Sequence, residues 1–199
     1  QVIRNAENPA AARAYIYGVI CHFALDSECH NYIEKMIQVS GISHSEIEME
    51  FDRMLLTEDF INPVRYLGTR HIRPTIENAR VIAPFFQDLT PEMVKKALSS
   101  MIFYHKLLLA PNPGKRKVLF GGMKVAGLYS SMKGMVMSLE PNPACRDYCL
   151  LLKNRFAGAV PLAASLIIQY QKKLFQGGEL PKRFHQTFGA GDSWESLHL

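Results

Sequence analysis

The chain has 199 residues, 48% of them apolar and 21% charged, with a formal net charge of +5. That is the balance of a soluble globular protein of one domain, long enough to bury a core, and it excludes a fold that depends on disulfides. Cys21, Cys29, Cys145 and Cys149 sit in apolar or helix-like stretches and form no close CxxC pair. They read as reduced core thiols rather than a four-cysteine zinc site, which favours a cytoplasmic setting. The chain opens on Gln1 in polar sequence without a signal peptide, so an upstream region is expected to be missing.

In chain order, Asn8-Pro9 predicts a helix start, with Asn8 as N-cap and Pro9 in the first turn, leading into a long helix that Gly41 breaks. Ser43 then caps a second helix, with Glu46 three residues on as in a capping box. Pro63, Gly68 and Pro74 punctuate a connecting segment. Thr90-Pro91-Glu92 opens another helix. The Pro and Gly residues of 111–122 predict a loop, with Val118-Leu119-Phe120 strand-like and Gly121-Gly122 a turn. A helical stretch is expected over 125–139, then a break at Glu140-Pro141-Asn142-Pro143, then a last helix over 144–175. Within it the apolar run Phe156 to Ile168 contains Pro161 and is too short to span a bilayer, so it predicts a buried helix and no transmembrane segment. The tail over 177–199 is polar and Gly-rich and is expected to be loosely held. With no alternating strand pattern, the fold class is all-α, a bundle of five or six helices in one domain over 1–199, its metal-binding helices at about 8–56.

Charge is unevenly distributed. Between Met93 and Leu139 there is no acidic residue, but there are Lys95, Lys96, Lys106, Lys115, Arg116, Lys117, Lys124 and Lys133. Such a field reads first as a solvated basic face, and second as one that attracts phosphates on lipid headgroups or nucleic acid, which makes 93–139 a candidate for peripheral membrane contact.

The chemistry is concentrated in the first two long helices. His22, Asp26 and His30 follow one another at four-residue spacing, which places them along one helix face. His44 and Glu48 repeat the spacing on the next helix. Ligands at i and i+4 on facing helices converge on a point with little strain, and this His/Asp/Glu set suits Zn²⁺, with Mn²⁺ and Fe²⁺ left open by residue type alone. His71, His105, His185 and His198 show no such spacing and read as ordinary surface or core histidines.

The stretch YIYGVICHFALDSECHNYI followed by SGISHSEIEMEFDRMLL resembles the core of the zinc-dependent phospholipase C family, in particular an uncharacterised bacterial branch related to the bacterial phospholipases C and the clostridial alpha-toxin. The pattern is H-x-x-x-D, then a His, then H-x-x-x-E, and the resemblance covers about Ala14 to Leu56. It implies an all-helical phospholipase C/P1 nuclease fold and one to three zinc ions. By this resemblance His22 ligates one zinc of a close pair, Asp26 bridges that pair, and His30, His44 and Glu48 hold the remaining ion. The family's further ligands and its general base lie upstream of these motifs. Here no His or Asp precedes His22, so one metal position is complete in protein ligands and no catalytic base is assigned.

The activity implied is hydrolysis of a phosphodiester by a metal-activated water, releasing a phospholipid headgroup. A nuclease or phosphatase of the same superfamily is the alternative enzyme, and Glu48 rather than Asp at the end of the second motif leans toward the phospholipase. A non-catalytic domain stapled by zinc is the alternative outside catalysis. Family members are often secreted, whereas the cysteines favour the cytoplasm.

Overall fold

A computed structural model describes residues 2–192 and 194–199. Among the described residues the structure is all-helical and contains no strand. Eight α-helices follow in order: α1 (Val2–Asn5), α2 (Pro9–Ser40), α3 (His44–Glu58), α4 (Ile76–Ile82), α5 (Pro91–Leu108), α6 (Pro113–Val125), α7 (Tyr129–Met132) and α8 (Arg146–Gln176). The chain forms two compact units, one of residues 1–16 and 56–139 and the other of 17–55 and 140–199.

Three helix signals of the first half operate as expected. Asn8 Oδ1 accepts from the Ala11 amide at 3.0 Å and caps α2. Gly41, at φ +70°, ends the helix, and its amide donates to Ile37 O at 2.8 Å. Thr90 caps α5 by accepting from the Met93 amide.

In the second unit, α2 and α8 share the core. Ile20, Phe23 and Ala24 pack with Ala163 and Leu166. One end further on, Cys29, Ile33 and Met36 pack with Ile47 of α3 and Leu152 of α8. The break before α8 is tied to α3 by two acids. Glu50 Oε2 accepts from the Asn142 amide at 3.1 Å, and Glu46 Oε1 accepts from Asn142 Nδ2 at 2.9 Å. In the first unit, Val94 and Leu98 of α5 pack on Ala79, Ala83, Ile76 and Ile82, in and beside α4, a helix not anticipated from sequence. Thr75 caps α4 through the Asn78 amide.

Several expectations are overturned. The 111–122 segment is not a loop, and Gly121-Gly122 is not a turn; both lie in α6. Pro113 occupies the first turn, where its missing N–H costs nothing, and Asn112 Oδ1 accepts from the Lys115 amide at 2.9 Å. The two glycines are exposed, and Leu119, Phe120 and Met123 face the small core made with Ala110 and Val136. The 125–139 stretch is not one helix. Gly127, at φ +70°, breaks it, leaving the four-residue α7 and a short 3₁₀ turn at Lys133–Met135.

The run Phe156 to Ile168 is only half buried. Ala159, Ala163 and Leu166 are in the core, while Val160 and Ile168 are 59% and 54% exposed. The helix that includes it, Pro143–Gln176, is apolar and long enough by composition to cross a membrane, although its inner side is committed to α2. Pro161 is on the exposed side, as is Ala157, whose carbonyl it deprives of a helical donor. Cys21 is exposed, unlike the three buried thiols, so it is not a core residue.

The tail after Gly177 is not loose, because it is tied along α2. Phe184 stacks on Phe23 with ring centroids 6.2 Å apart, and Phe188 meets the same ring edge-on at 5.4 Å. Arg183 donates to Ser27 Oγ at 2.9 Å and to Glu28 Oε1 at 2.6 Å. The Gly191 amide donates to Asn31 Oδ1 at 2.7 Å, and Lys35 Nζ to the Glu195 carbonyl at 2.7 Å. A Gly-rich composition weakens a segment's own structure, but it does not prevent docking when aromatic and charged anchors recur along it.

Candidate metal centre

The long uninterrupted α2 presents His22, Asp26, His30 and Glu34 at successive turns. Gly41 turns the chain so that α3 begins at His44. Three of the five expected ligands then converge: His30, His44 and Glu48 each offer a ligand atom, and these atoms lie within 4.8 Å of one another. His30 Nε2 is 3.6 Å from Glu48 Oε1, and His44 Nε2 is 3.1 Å from the same oxygen. The two imidazole centroids are 5.2 Å apart.

His22 and Asp26 form a separate pair on the same helix, with His22 Nε2 3.2 Å from Asp26 Oδ2. His22 is 66% exposed and Asp26 only 17%. Burial raises the Asp26 pKa, and the charges of His22, His30 and His44 partly oppose that rise. Asp26 therefore lies within the field of the three-residue cluster without being one of its converging donors. His71, His105, His185 and His198 are all exposed.

The tautomer of His30 is dictated by its neighbours. Its Nδ1 lies 2.6 Å from the carbonyl oxygen of Phe188. A carbonyl only accepts, so Nδ1 carries a hydrogen. In a neutral ring Nε2 is then a bare lone pair, and it faces a carboxylate oxygen. Two acceptors aimed at each other repel unless a cation lies between them. A proton on Nε2 meets that need, and so does a metal ion. The Glu48 carboxylate facing Nε2 holds the His30 pKa above the ordinary histidine value although burial opposes it. For Glu48, burial favours the neutral acid, but the bonds and charges of His30 and His44 outweigh it and the pKa is lowered.

The donor set fits zinc in chemistry, and the two separations to Glu48 fit in scale. Zinc bonds of ~2.0–2.2 Å in a tetrahedron place neighbouring donors roughly 3.3–3.6 Å apart. The observed separations of 3.6 and 3.1 Å bracket that spacing. Two imidazoles and one carboxylate are three protein ligands, and a four-coordinate ion keeps one position open.

Two contributors to this centre were not singled out from sequence. Glu34 Oε1 is 3.7 Å from His44 Nδ1, on the side of the ring away from Glu48. The carboxylate there favours a hydrogen on Nδ1 and leaves Nε2 as the donor atom. Its spacing was a usable signal, since Glu34 extends the four-residue series one step beyond His30. The Phe188 carbonyl had no such signal, being a backbone atom 158 residues from its partner.

A cleft of about 640 Å³ belongs to the other unit, lined by residues including Asn5, Glu7, Asn78 and Arg80, and no histidine or cysteine lines it. No protein-family model, curated protein or solved structure matches this chain.

Proposed function

We propose that the chain is a zinc-binding helical protein that hydrolyses phosphodiesters in the manner of a phospholipase C, with His30, His44 and Glu48 as its metal ligands. The observation that carries this reading is the His30 ring, oriented by the Phe188 carbonyl so that Nε2 faces Glu48 Oε1. The choice of phosphodiester as substrate rests on the motif resemblance over Ala14 to Leu56.

A bound zinc ion supplies Lewis acidity toward a phosphoryl oxygen and toward water. The protein's part is positioning. Phe188 fixes the plane and tautomer of His30, and Glu34 faces the outer nitrogen of His44. Glu48, kept ionised by its two histidines, brings negative charge to the centre. Asp26 and His22 add a second acid–imidazole pair two and one helical turns from His30 in the order His22, Asp26. All five residues predicted from sequence are thus on two adjoining helical segments, with three of them converging.

The test uses the full chain loaded with zinc, assayed for release of a phosphorylated headgroup from phosphatidylcholine and for cleavage of single-stranded DNA. The reading expects headgroup release that disappears in a His44→Ala/Glu48→Ala variant. DNA cleavage with the same dependence would make the chain a nuclease of the related kind. Stoichiometric zinc without hydrolysis of either substrate would leave a zinc staple between helices and overturn the catalytic part.

A further inference from the structure

Helix α5 has two apolar sides, and only one of them is used. Its inner side, Val94 and Leu98, packs on α4 and its neighbour turn. On the opposite side Met93, Lys96, Ser100, Phe103, Tyr104 and Leu107 recur at three- and four-residue spacing, which places them on one outward stripe. Met93, Phe103, Tyr104 and Leu107 are 50%, 61%, 56% and 42% exposed. A stripe of large exposed apolar side chains of this kind marks an interaction surface.

The charges around the stripe indicate its partner. Residues 97–105 carry no charge apart from His105, while Lys95 and Lys96 stand at one end and Lys106 at the other. All three lysines are exposed, and no acid occurs from Met93 to Leu139. Apolar insertion between cationic ends, with aromatic rings at the boundary, is the pattern of a helix lying in the plane of an anionic lipid surface. Two other cations of the region have a different task. Lys115 Nζ donates to the carbonyls of Lys106 and Leu109 at 2.9 and 2.6 Å, and Arg116 donates to those of Ala110 and Met137. They hold the turn after α5, so of the eight cations in 93–139 these two are committed to the protein's own backbone. The outer side of α8 also exposes large apolar side chains, among them Phe156, Val160 and Ile168, but Ala157, Gly158, Ala164 and Ser165 lie between them, and it lacks the paired aromatic rings flanked by lysines that α5 has.

We infer that the outward face of α5 is a docking surface for an anionic lipid bilayer, through insertion of Phe103, Tyr104 and Leu107 with Lys95, Lys96 and Lys106 at the headgroups. This rests on the proposed phospholipase reading only for its biological sense, because the surface and the metal ligands share no residue.

The test is sedimentation of the full chain, without zinc, with vesicles of phosphatidylcholine alone or mixed with phosphatidylglycerol. Binding is expected to the mixed vesicles and to weaken with salt. Each lysine contributes a factor of about five near an anionic surface, so Lys96→Glu/Lys106→Glu is expected to weaken partitioning about 25-fold or more. Phe103→Ser/Leu107→Ser, at exposed positions, is expected to weaken it about ten-fold or more while helix content is unchanged. The His44→Ala/Glu48→Ala variant is expected to bind vesicles like the unaltered chain, so loss of metal binding and loss of docking are read separately. No preference for anionic vesicles, or equal binding by the Phe103/Leu107 variant, would overturn the inference. Binding of a single-stranded oligonucleotide in place of vesicles would overturn it in favour of nucleic acid, and a concentration-dependent dimer abolished by the same substitutions would overturn it in favour of a second copy.

Discussion

Docking of the tail along α2 is expected to control metal affinity, because the carbonyl that orients His30 belongs to the tail. Replacing Phe184 and Phe188 together by Ala removes both rings from Phe23. A fully buried Phe→Ala change costs ~3–5 kcal/mol. Phe184 is half-buried and Phe188 is 41% exposed, so roughly 1.5 kcal/mol each is a fair scale, or about 3 kcal/mol for the pair. That is on the order of a 150-fold loss in the docking equilibrium. Undocking leaves Lys182 and Arg183 open to trypsin and releases the Nδ1 hydrogen bond of His30. Loss of such an outer-shell partner lowers metal affinity about 10- to 100-fold. The assays are the rate of tryptic cleavage at 182–183 and zinc affinity by competition with a chelator, with far-UV circular dichroism to show that α2 and α8 persist. By linkage, zinc should slow cleavage of the unaltered chain by the factor that tail docking adds to zinc affinity. Unchanged cleavage, or unchanged zinc affinity with a freely cleaved tail, would refute the coupling.

Three further outcomes are expected. Of the four thiols only Cys21 is exposed, while burial pushes the pKa values of Cys29 and Cys149 up to about 12 and that of Cys145 to about 11, so one thiol should react promptly with a disulfide reagent in the folded chain, and none in Cys21→Ser. In the metal-free chain His30 should titrate above the ordinary value of 6.5 by NMR and fall back in Glu48→Gln. The sign follows from the two shifts. His30, raised, contributes stability below 6.5 that is lost as pH rises through its elevated pKa, and Glu48, lowered, contributes stability above 4.5 that is lost as pH falls through its depressed one. Gly121→Ala and Gly122→Ala should each raise stability by about 0.5–1 kcal/mol in thermal or urea unfolding, because both positions are helical and an added Cβ meets nothing within 4 Å. A loss of stability would return that segment to a loop.

Where the sequence was legible, the signals were local and physical. Asn8-Pro9, Gly41 and Thr90-Pro91 each dictate a cap or a stop through one side chain or one φ angle, and the structure has them there. The four-residue spacing brought His30, His44 and Glu48 to one point because α2 and α3 are regular helices joined by a tight turn at Gly41. The same rule extended to Pro113 would have marked the start of α6, but the accompanying glycines were weighed as breakers when they only lower helix propensity. What was not legible depends on tertiary contact. The docked tail needs Phe23 to be buried under Phe184 and Phe188, and the half-exposed state of Phe156 to Ile168 depends on which side of α8 meets α2. The His22–Asp26 pair shows the limit of spacing as an argument. Both residues are in register with His30, yet His22 points to solvent and to the Phe188 ring rather than into the cluster.

The most direct test of the metal centre is elemental analysis of the purified chain after zinc is supplied and excess is removed, beside the His44→Ala/Glu48→Ala variant. At least about one zinc per chain is expected, lost in the variant while the helical circular dichroism spectrum is retained. A chain that holds no zinc, or a variant that holds as much as the unaltered chain, would contradict it and leave His30, Glu48 and His44 as a protonated hydrogen-bonded cluster.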